Sequence, residues 1–149
     1  MIMPALHNMA QSGADEIEIS AILENLQQVL DFVDSTLDRT ECSMKTRLQI
    51  AVAVEEVFVN IAHYAYEPGT GSAWIRTELT EAPPAIRIIF MDSGTPFDPM
   101  AKEDPDIKQS ADERQIGGLG IFMTKKLMDS VEYRYKDGRN ILTLVKGLQ

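Results

Sequence analysis

Ile17 and Ile19 are set between acids over Glu16 to Ser20, the period-2 pattern of a short edge strand. The period then lengthens. Leu23, Leu26, Val29, Leu30, Val33 and Leu37 recur at helical spacing, with Ser20 as the expected cap, and predict an amphipathic helix. A second helix is predicted from about Met44 to Tyr66, stopped by Pro68-Gly69 and Gly71, with Leu48, Ala51, Val52, Val59 and Ala62 on its apolar side. It is the most apolar helix and is expected to lie against the sheet. Ala73 to Leu79 and Ala85 to Met91 read as an antiparallel strand pair joined through Glu81-Ala82-Pro83-Pro84.

From Ser93 to Gln115 the chain turns polar and is punctuated by Pro96, Pro99 and Pro105, which predicts disorder or a functional lid, set at about residues 100–117. Gly117-Gly118-Leu119-Gly120 is expected to open a helix reaching about Asp129. Val131 to Tyr135 and Ile141 to Val145 are predicted strands joined by the hairpin signal Asp137-Gly138. Helices grouped against mostly antiparallel strands predict an α+β two-layer sandwich, with a mixed, mostly antiparallel sheet and helices on one face. The whole chain, residues 1–149, is expected to form one domain with its core in about residues 16–146.

Composition narrows the function. Fourteen Lys and Arg against 23 Asp and Glu leave a net charge of −9, which argues against a phosphate-backbone binder and hence against nucleic acid as a partner. The single cysteine, Cys42, permits no internal disulfide and fits a reducing compartment. The N-terminus lacks the pattern of a secretory signal, and the apolar stretches are broken by Glu55, Glu56 and Arg87, so the expectation is a cytoplasmic protein with no membrane partner.

Three local patterns carry candidate chemistry. Glu56 and Asn60 stand four residues apart, about 40° around a helix axis, and can reach one ligand; they also fit two solvated helix residues. Glu55, about 140° from Asn60, is expected to face elsewhere. Asp92-Ser93-Gly94 ends an apolar strand in an acid and a glycine. Such a carboxylate could accept a hydrogen bond from an exocyclic amine while Gly94 admits a planar ring, and an ordinary turn fits equally. Gly117-Gly118-Leu119-Gly120 offers unhindered N–H groups at a helix start, where anions are favoured, without the Lys-Ser or Lys-Thr of a Walker loop.

The segments Ala53-Val54-Glu55-Glu56-Val57-Phe58-Val59-Asn60, Asp92-Ser93-Gly94-Thr95-Pro96-Phe97-Asp98-Pro99 and Gly117-Gly118-Leu119-Gly120-Ile121 together resemble the asparagine box and two glycine boxes of the GHKL ATPases. That superfamily includes histidine kinases, gyrase B, Hsp90 and MutL. The length is similar to that of its stand-alone branch, the anti-sigma factor serine/threonine kinases of bacterial partner switches. The resemblance covers roughly Glu16 to Lys146 and implies the Bergerat fold. It also implies ATP and Mg²⁺ as cofactors, a STAS-type anti-anti-sigma protein as phosphorylated partner, a sigma factor as a second partner, and a possible homodimer.

By the same resemblance, Asn60 would hold Mg²⁺, Glu56 would be the general base, Asp92 would bind the adenine amine and Gly94 would pack beside the ring. Gly117, Gly118, Leu119 and Gly120, with the lid, would enclose the triphosphate. Arg114 would meet a phosphate or a partner protein, or remain a solvated lid residue, and Thr143 would lie near adenine. Pro96 stands where many relatives carry a second glycine. His63 is expected to be structural, and Lys125 and Lys126 to form a solvated helix face. Two other readings share the same residues: a nucleotide-gated binding module without kinase activity, and a histidine-kinase catalytic domain.

Overall fold

A computed structural model describes residues 14–101 and 121–149. The acid-flanked isoleucines form strand β1 (Asp15–Ser20), which pairs antiparallel with β2 (Ser72–Glu81). β2 pairs with β3 (Pro84–Asp92), β3 with β5 (Arg139–Gly147), and β5 with β4 (Ser130–Lys136), so the order is β1-β2-β3-β5-β4. Every pairing is antiparallel, where a mixed sheet had been expected. The reason lies in the connections: β2 to β3 and β4 to β5 are tight hairpins, and β1 returns through two helices onto the same edge. At the second hairpin Asp137 and Gly138 both adopt positive φ, 53° and 78°, as a primed turn requires.

The strands are buried on one face only. Ile75, Phe90 and Leu142 lie in register across β2, β3 and β5, as do Thr77, Ile88 and Leu144. Helices α1 (Leu26–Leu37) and α2 (Met44–Asn60) cover these rows, and the short α3 (Phe122–Leu127) packs against α2. This is the expected α+β sandwich with its helices on one side of the sheet. A buried hydrogen bond of 2.9 Å between the hydroxyls of Thr36 and Thr77 ties α1 to β2. Ser43, in extended conformation, caps α2 by accepting from the Thr46 N–H.

Two helix expectations are corrected. Ser20 does not cap the first helix; it ends β1, and its carbonyl accepts from the Asn25 side chain below a 3₁₀ turn, Leu23–Asn25. The apolar side of α2 is also not the one predicted. Ile50, Ala53, Val54, Val57 and Phe58 are buried, whereas Leu48 is 60% exposed and Val52 45%. Both sets repeat at helical spacing, because α2 is apolar almost all round, so periodicity alone cannot choose between them. The side carrying an isoleucine and a phenylalanine removes more apolar area from water and goes inward.

Past Asn60 the helix widens into one π-helical stretch, Ile61–Ala65, instead of running as α-helix to Tyr66. Of the predicted polar loop, Ser93–Ala101 is described and ends in a 3₁₀ turn, Pro99–Ala101; the predicted lid lies outside the described residues but for Met100 and Ala101. The residues at 102–120 include Arg114, Gly117, Gly118, Leu119 and Gly120, so these expectations also lie outside the described residues. No helix among the described residues is long and apolar enough to cross a membrane.

The choice of face is open to a direct check. Ile50→Ala is expected to cost about 2–5 kcal/mol of stability in urea unfolding, as for other buried aliphatics. Leu48→Ala is expected to stay within about 0.5 kcal/mol of wild type. Equal losses at the two positions would contradict the burial pattern.

Candidate functional site

The sheet register assembles the candidate site. Ala73, Asp92 and Asn140 are direct neighbours across β2, β3 and β5, one row beyond the apolar rows, and all three are buried. They form the rim of the core at the end of the central strands. Above them the π-helical stretch carries Tyr64 and Ala65, and the turn after β3 folds beneath it. A pocket opens between these parts. Its walls include Val57, Ile61, Phe90, Ile121 and Leu142, with Asn60, Tyr64, Asp92, Thr95, Tyr133 and Asn140 as the residues bearing polar groups.

Gly94 is required by a close approach. A Cβ built there would lie 2.0 Å from the Ala65 carbonyl oxygen, so any side chain would drive the turn away from the helix. The contact is completed by the Thr95 N–H, which donates to that carbonyl at 3.0 Å. Tyr66 holds the turn from the other side: its hydroxyl donates to the Ser72 carbonyl and accepts from the Ser93 N–H at 2.8 Å.

Asp92 is the buried acid of the pocket. Its Oδ1 accepts from the Gly94 N–H and from Asn140 Nδ2, each at 2.9 Å. Burial pushes its carboxyl above the usual carboxylate range, and those two donors pull less strongly the other way. Both donors address Oδ1, which makes Oδ2 the oxygen Asp92 offers to the pocket. An electron pair held in this apolar recess matches a ligand group that brings its own donor.

The predicted pair on α2 divides its tasks. Asn60 is buried and lines the pocket. Glu56 sits a turn earlier, outside the lining, and accepts from the N–H groups of Thr124 at 2.7 Å and Met123 at 3.2 Å, and from the Thr124 hydroxyl at 2.8 Å. It therefore anchors the first turn of α3, where backbone donors have no helical partner. Glu55 is exposed, as its angle predicted. His63 is exposed beside Tyr64 and does not line the pocket.

Thr143 is not brought to this site. On β5 the inward positions are Asn140, Leu142 and Leu144; Thr143 alternates to the opposite face, beside Ile89 and Glu132. The inward polar residue of that strand is Asn140, which the sequence reading missed. Its signal was parity, since Asn140 shares the phase of Leu142 and Leu144, but Ile141 and Val145 made the other phase equally apolar. Thr124 and Tyr66 were missed as well, because their roles depend on partners distant in sequence.

The raised pKa of Asp92 has a sign that can be measured. A carboxyl whose folded pKa exceeds its unfolded one loses stability as pH rises through that window. Asp92→Asn keeps the acceptor geometry and removes the charge. Its thermal midpoint is expected to exceed that of wild type at neutral pH, with the gain vanishing as pH falls below the ordinary carboxylate range. A variant no more stable than wild type at pH 7 would contradict the assignment.

Comparison with known proteins bears on the family and the fold. The chain is 27% identical over 133 residues to a serine/threonine-protein kinase, BtrW, from Bordetella bronchiseptica, covering 89% of this chain and 93% of that one. It is 33% identical over 104 residues to a serine-protein kinase, RsbW, from Halalkalibacterium halodurans, covering 67% of this chain and 62% of that one. The same fold occurs in the RsbU and RsbW domains of Rv1364c from Mycobacterium tuberculosis (TM-score 0.62, 15% identity, 90% of this chain and 32% of that one). It occurs again in the SiaB-SiaC complex from Pseudomonas aeruginosa (TM-score 0.58, 14% identity, 98% and 97%). Residues 19–146 match the model of the histidine kinase-like ATPase domain, and the chain belongs to that family.

Proposed function

We propose that the chain is an ATP-dependent serine/threonine-protein kinase of the anti-sigma type. In this reading it acts in the cytoplasm, phosphorylates a STAS-type partner and sequesters a sigma factor, so regulating transcription. The observation that carries the nucleotide part is Asp92: a buried carboxylate, saturated at one oxygen and open at the other, in the wall of an apolar pocket. An adenine amine is a donor of the kind that oxygen accepts, and Gly94 keeps the turn flush beneath the ring. The kinase part is supported by relatives named as serine kinases.

No group of three or more His, Cys, Asp and Glu side chains gathers among the described residues. A hard cation held here would draw one oxygen from Asn60 and the rest from phosphates and water, a donor set that suits Mg²⁺. So held, Mg²⁺ would neutralise phosphate charge. Asn60 then fixes the polyphosphate at the end of α2, and Asp92 fixes the base at the end of β3. Glu56 takes the proton from the attacking serine or threonine hydroxyl while its oxygen bonds to the γ-phosphorus and ADP leaves. Three of the four lone-pair sites of this carboxylate are engaged by α3, which leaves one on Oε2 for that proton. This engagement also favours a second reading, a nucleotide-gated binding module in which Glu56 serves α3 alone.

A phosphotransfer assay with labelled ATP and a candidate STAS protein separates the readings. Wild type is expected to yield an acid-stable phosphoserine or phosphothreonine. Glu56→Gln is expected to lose about 10²–10⁴ in rate with nucleotide affinity retained. Asn60→Ala is expected to weaken the Mg²⁺-dependent part of binding. Wild-type rate in Glu56→Gln would remove the base assignment, binding of ATP and partner without transfer would favour the module, and an acid-labile product would favour histidine-kinase chemistry.

A further inference from the structure

The geometry points to Tyr133 and Asn140 as positioning residues that aim Asp92 and thereby select a base bearing an amino donor over one presenting a carbonyl at the same place. This rests on the nucleotide reading above and adds which residues outside the three sequence boxes set base choice.

Asn140 has two chemically opposite ends, and the fold addresses each. Its Oδ1 accepts from the Phe97 N–H at 3.0 Å and from the Tyr133 hydroxyl. Its Nδ2 donates to Asp92 Oδ1 at 2.9 Å and to the Thr95 carbonyl at 3.0 Å, with the Gly94 carbonyl at 3.5 Å. A flipped amide would set oxygen against oxygen at Asp92 and Thr95, and N–H against N–H at Phe97, so the orientation is determined by partners. Tyr133 supplies one of the two donors that hold it. Tyr133 lies diagonal to Asn140 across the β4–β5 pair, within the reach of an aromatic side chain.

The consequence reaches the ligand through one carboxylate. Because Asn140 Nδ2 and the Gly94 N–H both address Asp92 Oδ1, Oδ2 is the oxygen left for a ligand, and in the ionised carboxylate it carries lone pairs only. A 6-aminopurine brings an N–H to that oxygen. A 6-oxopurine brings a second set of lone pairs, and its mismatch leaves a buried carboxylate unsatisfied. Without Tyr133, Asn140 can turn, Asp92 is freed from its fixed setting, and the discrimination weakens although the Asp92 carboxylate itself is unchanged.

Calorimetric titration with ADP and with inosine diphosphate, which differ at the purine 6-position, tests this in the presence of Mg²⁺. Wild type is expected to prefer ADP by at least about tenfold, the worth of one such hydrogen bond. In Tyr133→Phe and in Asn140→Leu, ADP affinity is expected to fall while inosine diphosphate affinity holds or rises, cutting the ratio by about threefold to tenfold. Tyr135→Phe, which removes the hydroxyl of an exposed β4 tyrosine, is expected to keep the wild-type ratio. A merely structural role would lower both affinities by one factor. An unchanged ratio in Tyr133→Phe, whose shape is conserved, would overturn the inference, as would a wild type that binds the two nucleotides equally while the nucleotide reading stands. A wild type that binds neither would overturn both.

Discussion

The register of β3 against β5 is the constraint on which the site depends. Pairing Ile88 with Leu144 and Phe90 with Leu142 builds the core, and the same ladder, one step further, must set Asp92 opposite Asn140. A slip of one residue in β5 would turn Ile141 inward in place of Asn140 and take the amide away from the Asp92 carboxylate. The apolar rows thus hold in place the buried carboxylate that they make costly. That cost is offset locally, by an amide whose own ends are both satisfied.

A second constraint acts where α2 ends. The π-helical stretch brings the Ala65 carbonyl down onto the turn after β3, and only a residue without a side chain fits between them. Helix and strand termini that are about 30 residues apart in sequence are joined there by backbone alone. Tyr66 fastens the same turn from the side of β2. The pocket wall formed by Asn60, Asp92 and Thr95 is therefore held by three elements, which suits a site that must present fixed polar groups to a ligand.

Glu56 links this rigid part to the segment that follows the glycine cluster. Its two oxygens accept three hydrogen bonds from the start of α3, the single Thr124 hydroxyl proton being shared with the Ala53 carbonyl. The position of α3 and the orientation of this carboxylate are consequently linked. In the kinase reading, α3 orients the carboxylate that takes the proton; in the binding-module reading, the same contact only secures the helix.

The sequence by itself determined the order of the elements, the hairpin at Asp137-Gly138, the two-layer class and the grouping of Glu56, Asn60, Asp92 and Gly94 into motifs. These are properties of local period, turn chemistry and short spacing, which neighbouring residues carry among themselves. Tertiary structure decided which side of α2 is buried, because a helix apolar all round offers two stripes and only the sheet distinguishes them. It decided that Asn140 faces the pocket and Thr143 does not, because both phases of β5 are apolar and the pairing with β3 selects one. It also decided the contacts of Glu56, whose partners lie 67 and 68 residues away. Hydrogen bonds across that separation leave no period to read, since they exist only once packing has brought the two helices together.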